Sequence, residues 1–327
     1  AKENGYQGCL MAPTEILAQQ HYNTLVDYLE PLGVRVGLLT GGMRVKARRN
    51  LLLELELGMI DVVVGTHALI QEDVCFNNLS VVITDEQHRF GVEQRAKLAN
   101  KSANAPDVLI MTATPIPRTL ALTVYGDLDI SQMKGKPVGR KPVQTLCYTE
   151  ERRQAIYEGV VRQVQAGHQA YIVCPLIEQS ETLEVHSAES VYEELTNGVL
   201  HDIPCALLHG KLKNAEKDEI MESFARGDIK VLVSTTVIEV GVNVPNATLM
   251  IIENAERFGL AQLHQLRGRV GRGSAQSFCV LFAGNDAPDT MARLQVLLES
   301  EDGFYLAERD LELRGAGQLF GLRQHGL

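Results

Sequence analysis

The sequence predicts two tandem α/β domains, each built on a parallel β-sheet, with a helical extension at the C-terminus. Three observations carry this expectation. The chain has 327 residues, more than one core usually holds, so two domains of roughly 150 residues are anticipated. Short β-branched runs alternate with longer amphipathic stretches, the pattern of βαβ units on a parallel sheet. Between two such series lies Lys134-Gly-Lys-Pro-Val-Gly-Arg-Lys-Pro142, whose prolines and glycines leave no element room to form. The division expected is a first domain over 1–133, a linker over 134–143, a second domain over 144–284 and a C-terminal extension over 285–327 that holds a helical hairpin.

In the first domain, strands are expected at 8–12, 34–39, 61–65, 80–84 and 108–111. Helical patterns fill 14–29, with Ile16, Leu17, Leu25, Tyr28 and Leu29 on one side, then 44–57 and 93–100. In the second, strands are expected at 145–148, 170–174, 205–208, 230–233, 248–252 and 277–282, with helices over 150–165, 214–226 and 260–269. Asn214 suits the N-cap of the middle helix, with Glu216 in its first turn. Met291, Leu294, Leu297 and Leu298 mark a last helix, and the Gly-rich stretch from Arg314 to Arg323 reads as neither strand nor helix. No internal repeat is visible by residue identity.

The composition is that of an ordinary globular chain, 45% hydrophobic and 22% charged. No apolar run approaches the roughly 18 to 20 residues that span a bilayer, and the first residues lack signal-peptide zones, so no membrane association is expected. Six cysteines without a paired CxxC suggest neither a zinc ribbon nor a disulfide scaffold, and fit a reducing cytoplasm. With 31 basic against 41 acidic side chains the formal net charge is −10, so any contact with nucleic acid must be local.

The sharpest local feature is Val81-Val-Ile-Thr-Asp-Glu-Gln-His88, where four strand residues run into the adjacent carboxylates Asp85 and Glu86. At the C-terminal end of a parallel strand, where α/β proteins bind ligands, one carboxylate can hold Mg²⁺ while its neighbour orients a water. An isolated Asp-Glu pair reads sooner as a charged turn, and only its setting changes that weighting. Ala12-Pro-Thr-Glu-Ile-Leu-Ala18 and Gly65-Thr-His-Ala-Leu69 each put a hydroxyl at a strand exit. Thr14 and Thr66 can therefore donate to phosphate oxygens beside helix N-termini, although each alone reads as a helix cap. Met111-Thr-Ala-Thr-Pro-Ile-Pro117 is a third such exit, with Thr112 and Thr114 placed to relay nucleotide state, a reading that an ordinary Thr-Pro turn rivals.

In the second domain, Gln262-Leu-His-Gln-Leu-Arg-Gly-Arg-Val-Gly-Arg272 holds Arg267, Arg269 and Arg272 with no acid among them. Helical spacing would set Arg269 and Arg272 at i and i+3, aimed at one target, and forked donors suit a phosphoryl group carrying transition-state charge. The rival is a solvated basic helix end. Gly268 and Gly271 weigh against it, because glycine inside a helix is costly without a reason such as close backbone approach. The stretch 234–246, which begins Ser-Thr-Thr and contains Glu239, supplies hydroxyls and an acid where the two domains are expected to face each other.

These segments, in this order, resemble the motor of the superfamily 2 helicases and translocases across nearly the whole chain. Within that superfamily, Leu10-Met-Ala-Pro-Thr-Glu-Ile-Leu-Ala18, Asp85-Glu-Gln-His-Arg-Phe-Gly-Val92, Thr112-Ala-Thr-Pro-Ile-Pro-Arg-Thr-Leu-Ala121 and the run 251–273 look like the RecG family of branch-migration helicases. Asp310-Leu-Glu-Leu-Arg-Gly-Ala-Gly-Gln-Leu-Phe-Gly-Leu-Arg-Gln324 is similar to the translocation motif that this family shares with the transcription-repair coupling translocases. The resemblance implies two RecA-like domains, ATP and Mg²⁺ as cofactors, and branched duplex DNA, forks and Holliday junctions, as substrate. It also implies a bacterial cytoplasmic setting, a monomer, and a single-stranded DNA-binding protein as a further partner.

By the same resemblance Asp85 holds Mg²⁺, Glu86 activates water, and Gln87 and His88 couple hydrolysis to movement. Thr112 and Thr114 link the nucleotide and DNA sites, Gly241 and Asn243 lie beside the nucleotide, and Arg269 and Arg272 reach its γ-phosphate. Thr14, Thr66 and Thr235 touch the DNA backbone, and Arg314, Gly315, Gln318, Arg323 and Gln324 push on duplex. The sequence also departs from the pattern. No Gly-x-x-x-x-Gly-Lys followed by Ser or Thr occurs; Gly135-Lys136 is followed by Pro137, and Gly210-Lys211 by Leu212. The chain is accordingly expected to be a fragment that begins inside the helix after the phosphate loop, without ATPase activity of its own. Asn243 stands where the family usually has Asp, and Ala316, Gln318 and Leu322 where it usually has Pro, Glu and Thr. Two other readings remain open: the motor of a transcription-repair coupling translocase, and a non-catalytic DNA-binding helicase-like fragment.

Overall fold

A computed structural model of the chain describes residues 2–85, 101, 105–112, 129–133, 140–175, 181–235 and 244–314. The chain divides into two compact units, Ala1–Ala113 and Thr114–Leu327. Of the expected linker, 140–143 are described; the expected helix at 93–100 lies outside the described residues. No helix among the described residues is long and apolar enough to cross a membrane.

The first unit is built on β1 (Gln7–Met11), β2 (Val36–Leu39), β3 (Val62–Gly65), β4 (Leu79–Thr84) and β5 (Asp107–Ile110). All pairings are parallel, in the order β2-β3-β1-β4-β5. The apolar runs of β1 and β3 follow from burial on both faces. Along β1, Cys9 and Met11 pack on one side with Leu39, Leu55, Val63 and Val82, and Leu10 packs on the other with Ala18, Val36 and Val64. Helix α1 (Glu15–Leu29) starts where Thr14, in extended conformation, accepts the Leu17 N–H on its side chain, and α2 (Val45–Glu56) crosses from β2 to β3.

The second unit holds β6 (Gln144–Tyr148), β7 (Gln169–Val173), β8 (Cys205–Leu208), β9 (Val231–Ser234), β10 (Ala247–Ile252) and β11 (Phe278–Phe282). They too pair in parallel, in the order β6-β11-β10-β7-β9-β8. Its helices are α3 (Arg153–Gln165), α4 (Glu181–Asn197), α5 (Asn214–Arg226), α6 (Leu260–Arg267), α7 (Pro288–Glu299) and α8 (Gly303–Arg314). Read from its other edge, β8-β9-β7-β10-β11 repeats the first sheet strand for strand, with β6 added outside.

A repeated side-chain device accompanies the repeated topology. Gln7, the buried first residue of β1, donates from Nε2 to the carbonyls of Leu55 (2.9 Å) and Ile60 (2.7 Å). Gln169, the buried first residue of β7, donates from Nε2 to the carbonyls of Phe224 (2.6 Å) and Ile229 (2.9 Å). In each unit one amide satisfies a carbonyl near the end of the preceding helix and another just before the neighbouring strand, as buried polar groups require. The repeat that residue identity conceals is therefore present in the fold.

Three expectations are corrected. The N-cap of α5 is Lys213, not Asn214, and its backbone N–H is taken by the Glu216 carboxylate at 2.8 Å. Helix α6 ends at Arg267, so Arg269 and Arg272 do not share a helical face. The helix is capped at Gly268, and further along Gly271 is left-handed, at φ 75°, where a Cβ would sit 2.7 Å from Val143 Cγ2, so no side chain is accommodated there. Finally, α4 is a helix where none was expected. At the end of β3, a Cβ on Gly65 would overlap the Leu39 carbonyl oxygen and lie 2.9 Å from Leu69 Cγ, whereas one on Gly8 meets nothing nearer than 3.8 Å. Gly65→Ala is expected to lower the unfolding free energy by about 1–3 kcal/mol and Gly8→Ala by much less; equal urea midpoints for the two variants would contradict the close approach.

Candidate functional site

The candidate site grows from the strand order. The connection leaving β1 runs toward the β2 side of the sheet and the connection leaving β3 crosses to β4, so the exits of β1 and β4 flank a topological switch point, where α/β sheets bind ligands. Met11 lies against Thr84 at the last rung, and the Asp85 N–H continues the ladder to the Met11 carbonyl at 3.0 Å. Asp85 is thereby fixed at the sheet edge beside the exit that carries Thr14. The structure brings a third residue to it: His21, two turns into α1, lies with Nε2 2.8 Å from Asp85 Oδ2. Sequence reasoning missed His21; its only signal was a position seven residues beyond Thr14 on the same helix.

The other expected residues of this unit sit at further strand exits. Thr66 follows β3, is buried, and donates its N–H to the Leu39 carbonyl at 3.3 Å. Thr112 follows β5 by two residues and is exposed. Among the described residues no group of three or more His, Cys, Asp or Glu side chains could hold a metal. A single carboxylate at a ligand-binding edge fits Mg²⁺, which keeps several waters and is bound through one or two carboxylates together with substrate phosphates.

In the second unit Thr235 follows β9, is buried, and donates its N–H to the Leu208 carbonyl at 3.1 Å, the same position and bond as Thr66 in the first. The counterpart of Asp85 is Glu253, directly after β10, whose N–H reaches the Val173 carbonyl at 2.8 Å. Glu253 is buried, and both its oxygens are engaged: Oε2 by Arg153 Nη1 at 2.7 Å and Oε1 by the Tyr157 hydroxyl. Arg153 also lies over the Tyr157 and Phe282 rings, 5.3 and 5.6 Å from their centroids. Burial, and then the Glu253 charge, push the Tyr157 hydroxyl well above its ordinary pKa against the pull of Arg153, so it stays protonated and donates. The signal for Glu253 was a carboxylate placed straight after a β-rich run, as at Asp85.

Of the three clustered arginines, Arg267 is structural. It is buried, and donates to the Leu297 carbonyl at 2.7 Å, the Ser300 carbonyl at 3.0 Å and Thr145 Oγ1 at 3.3 Å, tying α6 to the end of α7 and to β6. Arg269 and Arg272 are half-buried, and Arg272 Nε donates to the Gly268 carbonyl at 3.1 Å. Burial, and then the nearby charge of Arg269, hold the Arg272 pKa below its ordinary value. Both arginines lie within electrostatic reach of the Tyr171 hydroxyl, which burial pushes up to about 12 against their pull. The loop after α6 thus gathers Arg269 and Arg272 without the helix first expected.

Glu86, Gln87, His88, Thr114, Gly241, Asn243, Gly315, Gln318, Arg323 and Gln324 lie outside the described residues, and Arg314 is the last residue of α8. The Glu253 cluster yields a test within the described residues. Arg153→Met removes the cation from a buried carboxylate and is expected to cost about 3–5 kcal/mol of stability; urea denaturation showing a loss below about 1 kcal/mol would contradict a buried, mutually dependent pair.

Comparison with known proteins agrees with this architecture. A family model for the DEAD/DEAH box helicases matches residues 1–123, and one for the helicase conserved C-terminal domain matches residues 151–274. The ATP-dependent DNA helicase RecG of Synechocystis sp. is 53% identical over 327 residues, 100% of this chain and 39% of that protein. The ATP-dependent DNA helicase RecG of Bacillus subtilis is 53% identical over 324 residues, 99% of this chain and 47% of that protein. A solved structure of RecG bound to a three-way DNA junction superimposes with a TM-score of 0.82 at 48% identity, covering 96% of this chain and 41% of that one. The chain spans less than half the length of these relatives, and its two parallel sheets are the two RecA-like domains that they carry. Over essentially its whole length the chain is similar to the RecG helicases, and its two units match the two helicase family models.

Proposed function

We propose that this chain is the motor segment of an ATP-driven duplex DNA translocase that remodels branched DNA, stalled forks and Holliday junctions, in a bacterial cytoplasm. The observation that carries the reading is Asp85 at the β1–β4 switch point of one RecA-like sheet, with a second copy of that sheet bearing Arg269 and Arg272. The relatives' names, ATP-dependent DNA helicase RecG, and the three-way junction in the solved relative support the substrate class. Action as a monomer with a single-stranded DNA-binding protein as partner belongs to the same proposal and rests on the family resemblance.

Bound Mg²⁺·ATP supplies the phosphoanhydride whose hydrolysis drives movement, with the metal neutralising charge on the transferred phosphoryl group. Asp85 would hold that metal, and Glu86 would orient and deprotonate the water. Arg269 and Arg272, each a forked donor, would take up the charge that develops on the γ-phosphate, and by the family resemblance Gly241 and Asn243 would lie beside the nucleotide. Gln87, His88, Thr112 and Thr114 would pass the change to the DNA side. Thr14, Thr66 and Thr235 would hold the DNA backbone, and Arg314, Gln318, Arg323 and Gln324 would bear on the duplex. The absent phosphate loop removes several hydrogen bonds to charged oxygens, each worth roughly 1.5–3 kcal/mol, so ATP binding should be weaker by on the order of a thousandfold or more. Negligible ATPase is the expectation for this chain alone.

DNA contact is testable without turnover. Thr14 Oγ1 accepts the Leu17 N–H at 3.3 Å and keeps its own hydrogen to donate. Asp is as good an N-cap as Thr but repels a phosphate. By fluorescence anisotropy with a three-way junction, Thr14→Asp is expected to weaken binding about tenfold or more while the thermal midpoint is kept, since a hydrogen bond to a charged group is worth roughly 1.5–3 kcal/mol. Unchanged binding would remove Thr14 from the interface.

A further inference from the structure

We infer that His21 is the positioning residue of the Asp85 carboxylate, holding it from α1 in the orientation in which it meets a divalent cation. The inference rests on the proposed role of Asp85 as a metal ligand. Its warrant is the geometry. His21 Nε2 lies 2.8 Å from Asp85 Oδ2, with side chains 27% and 20% exposed, a half-buried pair rather than a solvated surface contact. An ionised carboxylate only accepts hydrogen bonds, so Nε2 is the donor.

The donor is itself fixed. Thr14 caps α1, and Leu17, Ala18, Tyr22 and Leu25 pack it into the core that holds Leu10 and Val64 of the sheet. Thr14 and His21 are seven residues apart, about 10 Å along one helix, so the proposed DNA contact and the metal carboxylate hang on a single rigid element.

The second unit supplies an internal comparison. At the same sheet position Glu253 gives one oxygen to Arg153 and the other to Tyr157, a permanent cation and a hydroxyl that together saturate the carboxylate. In the first unit His21 engages Oδ2 through one N–H. The same position of the repeat thus meets an arginine and a tyrosine in one copy and a histidine in the other. Hydrogen-bond partners of metal-binding carboxylates typically affect metal affinity by 10–100-fold.

The test uses the ¹⁵N-labelled chain and Mn²⁺ alone, following relaxation broadening of the Thr84 and Asp85 amide resonances. The wild type should broaden at these amides and Asp85→Asn should not. His21→Ala should need about tenfold more Mn²⁺ for the same broadening, and His21→Gln, which keeps a donor, should recover most of the difference. Asp85→Asn behaving like the wild type would overturn the metal reading, and this inference with it. If Asp85→Asn abolishes broadening while His21→Ala titrates like the wild type, or His21→Gln like His21→Ala, Asp85 keeps its role and His21 loses the one inferred for it. Should His21→Ala fail to fold, His21→Leu, which keeps bulk and loses the donor, takes its place with the same expectation.

Discussion

Parallel pairing of β1 with β4, from Gly8 against Val81 to Met11 against Thr84, fixes where this chain presents chemistry. Because the strands run the same way, both exits fall on one edge, and because the connections leaving β1 and β3 diverge there, the exits flank a switch point. Asp85 continues the ladder by one more backbone bond, and Thr14 leaves β1 beside it as the cap of α1. Each of these placements depends on the register. A slip of one residue would turn the side chains of β4 to the opposite faces and carry Asp85 away from His21.

The same framework is used twice and finished differently. Gln7 and Gln169 close equivalent gaps with equivalent bonds, and Thr66 and Thr235 follow equivalent strands. The divergence lies at the strand end where Asp85 is matched by Glu253. A buried carboxylate is tolerable only when paired and hydrogen-bonded, and Glu253 meets that condition through Arg153 and Tyr157. Asp85 is only partly buried at its edge, 20% exposed. One copy has turned its carboxylate into structure, and the other presents it at the ligand edge.

Much of this was legible in the sequence because β-branched runs in parallel sheets are buried on both faces and stand out as continuous apolar segments. The strands lie within a residue or two of their expected bounds, and Asp85 is at a strand exit as its setting implied. The parts that were not legible depend on contacts between residues distant in sequence. Helix α6 is capped at Gly268, and the path beyond it runs through a left-handed Gly271 packed against Val143, which a helical reading of Arg269 and Arg272 cannot anticipate. Helix α4 carries Ala188, Val191, Tyr192 and Leu195 at helical spacing in an otherwise polar segment, so its existence is legible only once a core to receive them is known. The duplicated glutamines show the same limit, since each is explained by carbonyls some fifty or sixty residues away.

Every role proposed for this edge depends on Asp85 as the metal-binding carboxylate between β1 and β4. Anomalous diffraction from crystals soaked in Mn²⁺ in place of Mg²⁺ tests that most directly. The account predicts a peak at bonding distance, about 2 Å, from an Asp85 carboxylate oxygen with waters completing the shell. A peak at another carboxylate, with none at Asp85, would contradict it.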